Sequence, residues 1–97
     1  MADKPKTTYI DDRKLELKEL QDLVGGSIQV AFDDGKHQII CNEEGKMMGF
    51  QFNKEATIVW RDKLLDSGDY EVADWIENGH DFLVGDILIL SKKARLK

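Results

Sequence analysis

Ser27-Ile28-Gln29-Val30-Ala31-Phe32, Asp33-Asp34-Gly35-Lys36, His37-Gln38-Ile39-Ile40-Cys41: this stretch decides the fold. The first run alternates, with Ile28, Val30 and Phe32 predicted on one face of a strand. The Asp-Gly pair suits a tight turn because both residues tolerate the backbone angles it needs. The third run returns as a second strand, so the stretch reads as an antiparallel hairpin. Its apolar side chains need cover from other parts of the chain.

Outward from the hairpin, both flanks supply that cover. Upstream, Leu17, Leu20 and Val24 share a helical face within Arg13 to Val24, with Leu23 beside them. Asp11 or Asp12 is placed to cap the helix, and Gly25-Gly26 to stop it. Thr8-Tyr9-Ile10 suits a short strand after a loose arm over residues 1–8. Downstream, Asn42-Glu43-Glu44-Gly45 is a second turn, and Met47 to Phe52 is expected to pack over the hairpin. Asn53 is expected to cap a helix that carries Ala56, Val59, Trp60 and Leu64 on one face. Thr57-Ile58-Val59-Trp60 also suits a strand, since branched and aromatic side chains favour strands, but the helical spacing is preferred. Ser67-Gly68 ends that element. Tyr70 to Glu77 is expected as a short helix burying Val72, Trp75 and Ile76, and Asn78-Gly79 as a turn. Ile87-Leu88-Ile89-Leu90, continuously apolar, reads as a buried closing strand.

The expected fold is therefore α+β: a small antiparallel sheet, hairpin plus closing strand, packed with two main helices. Ninety-seven residues make one domain over 1–97, with a basic tail at 92–97.

Composition bounds the function. With 41% hydrophobic and 34% charged residues, the chain is an ordinary globular one rather than a disordered one. The single cysteine, Cys41, cannot form an internal disulfide, which suits a reducing compartment. The N-terminus carries no apolar signal stretch, and no apolar run approaches the roughly 20 residues that span a bilayer. A cytoplasmic protein with no membrane association is expected. The last six residues hold Lys92, Lys93, Arg95 and Lys97 and no acid, which leaves 10 basic against 19 acidic side chains elsewhere. Between Leu64 and Ser91 there is no Lys or Arg, but there are seven acids. Such a body repels phosphate backbones, so direct nucleic-acid binding is not expected.

No arrangement of residues points to catalysis. Cys41 ends an apolar strand and reads as a small core residue, not a thiolate working with His37 or His80. Asp66, Asp69, Glu71 and Asp74 do not have calcium-loop spacing, and no Cys/His set exists for zinc. Gly25-Gly26 follows a helix rather than opening one, so it does not cradle phosphate. Glu43-Glu44 is ordinary turn chemistry. A non-enzymatic protein without cofactor or metal is expected.

Leu20-Gln21-Asp22-Leu23-Val24-Gly25-Gly26 before a strand, Asn42-Glu43-Glu44-Gly45-Lys46, Asn53-Lys54-Glu55-Ala56-Thr57, and Asp81 with Val84-Gly85-Asp86 follow one another in a recognisable order. Together they resemble domain of unknown function 3846, a family of small phage and prophage proteins. The resemblance covers about Leu15 to Ser91. It implies a viral or mobile-element origin and no catalytic residue. In that family the stretch before the final Val-Gly-Asp segment is usually short; here Asp66 to His80 adds an acidic, Trp-bearing segment.

Two binding surfaces are expected from the residues. The first is an acidic, aromatic surface of Asp69, Tyr70, Glu71, Asp74, Trp75 and Glu77, suited to a basic host protein. The second is a ligand pocket of Asn42, Glu44 and Asn53 for a small molecule, in a chain that could be a homo-oligomer. Each of these residues also has a structural reading: core for Trp60 and Trp75, turn chemistry for Asn42, and a helix cap for Asn53.

Overall fold

The computed structural model describes residues 4–96. Its elements run β1 (Thr7–Ile10), α1 (Leu17–Val24), β2 (Ile28–Asp33), β3 (His37–Asn42), α2 (Lys54–Asp66), α3 (Tyr70–Glu77) and β4 (Ile87–Ser91), closed by a 3-10 turn at Lys92–Ala94. The four strands form one sheet in the order β1-β4-β3-β2. Strand β3 is antiparallel to both β2 and β4. Strand β1 runs parallel to β4, in the register Thr7 opposite Ile87 to Ile10 opposite Leu90.

The sheet is thus mixed, and the expectation of a purely antiparallel one is corrected. Parallel neighbours need a long crossover, and here the whole body of the chain intervenes between β1 and β4. The arm expected to be loose is tied in from Lys6 onward. Lys6 N–H donates to the Asp86 carboxylate (2.9 Å), and Ile87 N–H to the Lys6 carbonyl (2.9 Å). The first three residues of that arm and Lys97 of the basic tail lie outside the described residues. The rest of the tail is docked: Ala94 is buried, and Leu96 exchanges two hydrogen bonds with the Gln38 side chain.

Helices cover both faces of the sheet. Leu20 and Val24 of α1 pack with Ile40, Leu88, Leu90 and Ala94 on one face. Ala56, Trp60 and Leu64 of α2, with Ala73 and Ile76 of α3, pack on Ile39, Cys41, Ile87 and Ile89 on the other. This explains the unbroken apolar run in β4, because a central strand covered on both faces has no polar side.

Four local expectations are corrected. Helix α1 starts at Leu17, with Glu16 at its cap position and no side-chain cap, so neither Asp11 nor Asp12 serves. Leu17 itself is exposed. A bulge between Val30 and Phe32 switches the face of β2: Ala31 and Phe32 turn toward α2, while Val30 is left exposed. Met47, Met48 and Phe52 stand exposed rather than covering the hairpin. Helix α3 buries Ala73 and Ile76, and not Val72 or Trp75. Other expectations hold: residues 57–60 are helical within α2, and Gly25 closes α1 in the left-handed conformation at φ 82°.

The hairpin turn makes stability pH-dependent. Asp34 Oδ1 accepts the backbone N–H groups of Lys36 (2.8 Å) and His37 (2.6 Å). Burial pushes this carboxyl up, but those hydrogen bonds outweigh it and hold it below the ordinary range. A lowered folded-state value means stability that is present above the unfolded value of about 3.9 and is lost as pH falls through the folded one. The urea midpoint of the protein is expected to fall on acidification from about pH 5 to about pH 2, and to fall less in Asp34→Asn.

Candidate binding site

Helix α3 carries the acidic surface. Asp69 precedes it without making a side-chain cap bond. Asp69, Tyr70, Glu71, Asp74, Trp75 and Glu77 are all exposed. At 3.6 residues per turn the five within the helix divide into two stripes. Glu71 and Trp75 lie opposite the buried Ala73 and Ile76. Tyr70, Asp74 and Glu77 lie together on a flank. Tyr70 is 66% and Trp75 55% exposed, large values for aromatics in a small domain. The Trp75 ring lies against His80, centroids 4.4 Å apart, so the indole is held in place from one side only. The physical reason Trp75 stays out is geometric: Ala73 and Ile76 are three positions apart and share one stripe of the helix, and at about 100° per residue position 75 falls outside it.

Trp60 behaves differently. It is 8% exposed, between α2 and the sheet.

The second expected surface does not assemble as one pocket. Asn42 is buried and its side chain is engaged: Nδ2 donates to the Val24 carbonyl (3.2 Å), and Oδ1 accepts the Glu44 N–H (2.7 Å). Its amide joins the end of α1 to the turn after β3. Glu44 is exposed in that turn. Asn53 is buried at a junction. Its Oδ1 accepts the Ala56 N–H (2.9 Å) and the Thr7 hydroxyl (3.1 Å), while Nδ2 donates to the carbonyls of Gly85 (2.9 Å) and Lys6 (3.3 Å). Thr57 adds a second link, accepting the Leu83 N–H (3.0 Å) on its hydroxyl. Asn42 touches a cleft that neither Glu44 nor Asn53 lines.

That cleft, of about 240 Å³, lies between the turn after β3 and the loop before β4. Cys41, Trp60 and Leu83 form its inner wall, and Lys46, Met47 and Asp81 its mouth. Lys46 Nζ donates to Asp81 Oδ1 at 2.5 Å and sits 4.7 Å from the centre of the Phe82 ring. Phe82 in turn meets Phe52 edge to face at 5.9 Å. Burial pushes the Cys41 thiol up, and the nearby Lys46 offsets this only in part. The sulfur is therefore a neutral packing surface. The Lys46–Asp81 pairing was not legible from spacing: 35 positions separate the two, and only their opposite signs hinted at it.

Among the described residues no group of three or more His, Cys, Asp or Glu side chains is gathered to hold a metal ion. No helix among them is long and apolar enough to cross a membrane.

No curated protein and no solved structure matches the chain. A family model does match, over residues 1–95, nearly the whole length. The chain therefore belongs to the family described as Domain of unknown function (DUF3846).

Proposed function

We propose that this protein is a non-enzymatic, cytoplasmic accessory protein of a phage or prophage. It binds a basic host protein through α3, and so blunts host defence. The observation that carries this reading is Trp75, an indole 55% exposed on a helix that also exposes Glu71, Asp74 and Glu77 beside Tyr70. Aromatic side chains anchor interfaces because they bury large area at low entropic cost, and surrounding acids steer a basic partner. No Lys or Arg lies between Leu64 and Ser91 to oppose that steering.

The test is binding to a partner captured from host lysate, using Asp74→Lys and Trp75→Ala variants whose folding circular dichroism verifies. Trp75→Ala is expected to weaken binding by at least about 2 kcal/mol, roughly 30-fold. Asp74→Lys is expected to slow association at low salt and to converge on the parent at high salt, where screening shortens the reach of charges to a few ångströms. Parent-like binding by both variants at both salts moves the interface away from α3.

A further inference from the structure

The cleft beside the turn after β3 is chemically specific in a way that α3 is not. We propose that it binds a small zwitterion with an apolar side chain, of which an aliphatic α-amino acid is the simplest example. Three observations converge on that class.

The inner wall is apolar and largely buried, formed by Cys41, Trp60 and Leu83. It offers contact to hydrocarbon, and the neutral thiol adds polarisable surface without charge. The mouth holds one cation and one anion in contact, Lys46 and Asp81, and Glu43 lines the cleft as a second anion. A ligand with a single charge would separate this pair and satisfy only one member. A zwitterion satisfies both, its carboxylate on Lys46 and its ammonium on Asp81 and Glu43. It thereby exchanges one ion pair for two. The exchange is inexpensive because the existing pair is half-exposed, and such pairs contribute only about 0–1 kcal/mol. Finally, the volume of about 240 Å³ lies below the roughly 300–1,000 Å³ of drug-sized sites, so the occupant is metabolite-sized. Met47, exposed at the mouth and unbranched, can fold over a ligand of this size.

The site does not depend on the protein-binding role of α3, and one titration separates the two. Backbone amide shifts of the intact protein are followed by NMR as L-leucine is added. 4-Methylpentanoate, which lacks the amine, and isoamylamine, which lacks the carboxylate, serve as controls. L-Leucine is expected to shift the amides of Gln29, Lys46, Asp81 and Leu83 saturably, with a midpoint near or below about 1 mM. Each control is expected to bind at least about 10-fold more weakly, as are Lys46→Met and Asp81→Asn toward leucine. Asp81→Asn keeps an oxygen for the Phe82 N–H, which Asp81 Oδ1 accepts at 2.8 Å, so the loop retains its bond. Trp75→Ala is expected to bind leucine as the parent does. No saturable shift up to about 10 mM leucine, a control equal to leucine, or parent-like binding by both cleft variants overturns the proposal.

Discussion

Asn53→Ala is expected to lower stability by about 3 kcal/mol, well beyond the roughly 1 kcal/mol of an ordinary helix cap. The excess comes from the second half of the amide. Oδ1 caps α2 at Ala56, but Nδ2 also satisfies the Gly85 carbonyl, and that bond is buried. Alanine leaves the Ala56 N–H and the Gly85 carbonyl unpaired, and each buried orphan costs about 1–3 kcal/mol. Urea melts measure the total, and Asn53→Ser divides it. Serine keeps a neutral capping oxygen and loses the amide donor, so it is expected to fall between parent and alanine. A midpoint unchanged in Asn53→Ala would remove Asn53 from the junction. Against a typical total of about 5–15 kcal/mol, a loss of this size leaves a marginal domain.

Gly85→Ala is expected to cost about 2–4 kcal/mol, from two independent sources. Gly85 has φ 76°, the left-handed region that a β-carbon disfavours. An added Cβ would also lie 2.5 Å from Cδ2 of Phe50 and 3.3 Å from its Cβ and Cγ. The base of the ring is blocked as well as its edge, so rotation alone does not clear the clash. A double-mutant cycle separates the sources: in a Phe50→Ala background the steric part vanishes and the backbone part, about 1 kcal/mol, remains. Equal costs of Gly85→Ala in both backgrounds would show that Phe50 does not confine this position.

Much of the architecture was legible because its causes are local. The Asp-Gly turn, the glycine stop after Val24, the asparagine before α2 and the apolar run of β4 each depend on neighbours within a few residues. Their physical signals survive in one dimension. The binding surfaces were less legible. All six residues of the acidic, aromatic surface are exposed, whereas the sequence suggested a core role for Trp75. Its true position follows from which stripe of α3 the sheet covers. Asn42, Glu44 and Asn53 suggested a shared pocket because they are polar and punctuate the chain. Yet the two asparagines spend their hydrogen-bonding groups on backbone brought in from other segments, Val24 for one and Lys6 and Gly85 for the other.

The sequence by itself determined which segments are strands, turns and helices, with α1 shortened at its start, and that the body of the molecule is acidic. Tertiary structure alone decided the parallel pairing of β1 with β4, the bulge that turns Phe32 toward α2, and the meeting of Lys46 with Asp81. The reason is the range of the interactions. Propensity and periodicity act between neighbours along the chain. Strand partnership, the buried stripe of a helix and an ion pair across 35 positions depend on which surfaces the collapsed chain brings together, and no local pattern encodes that choice.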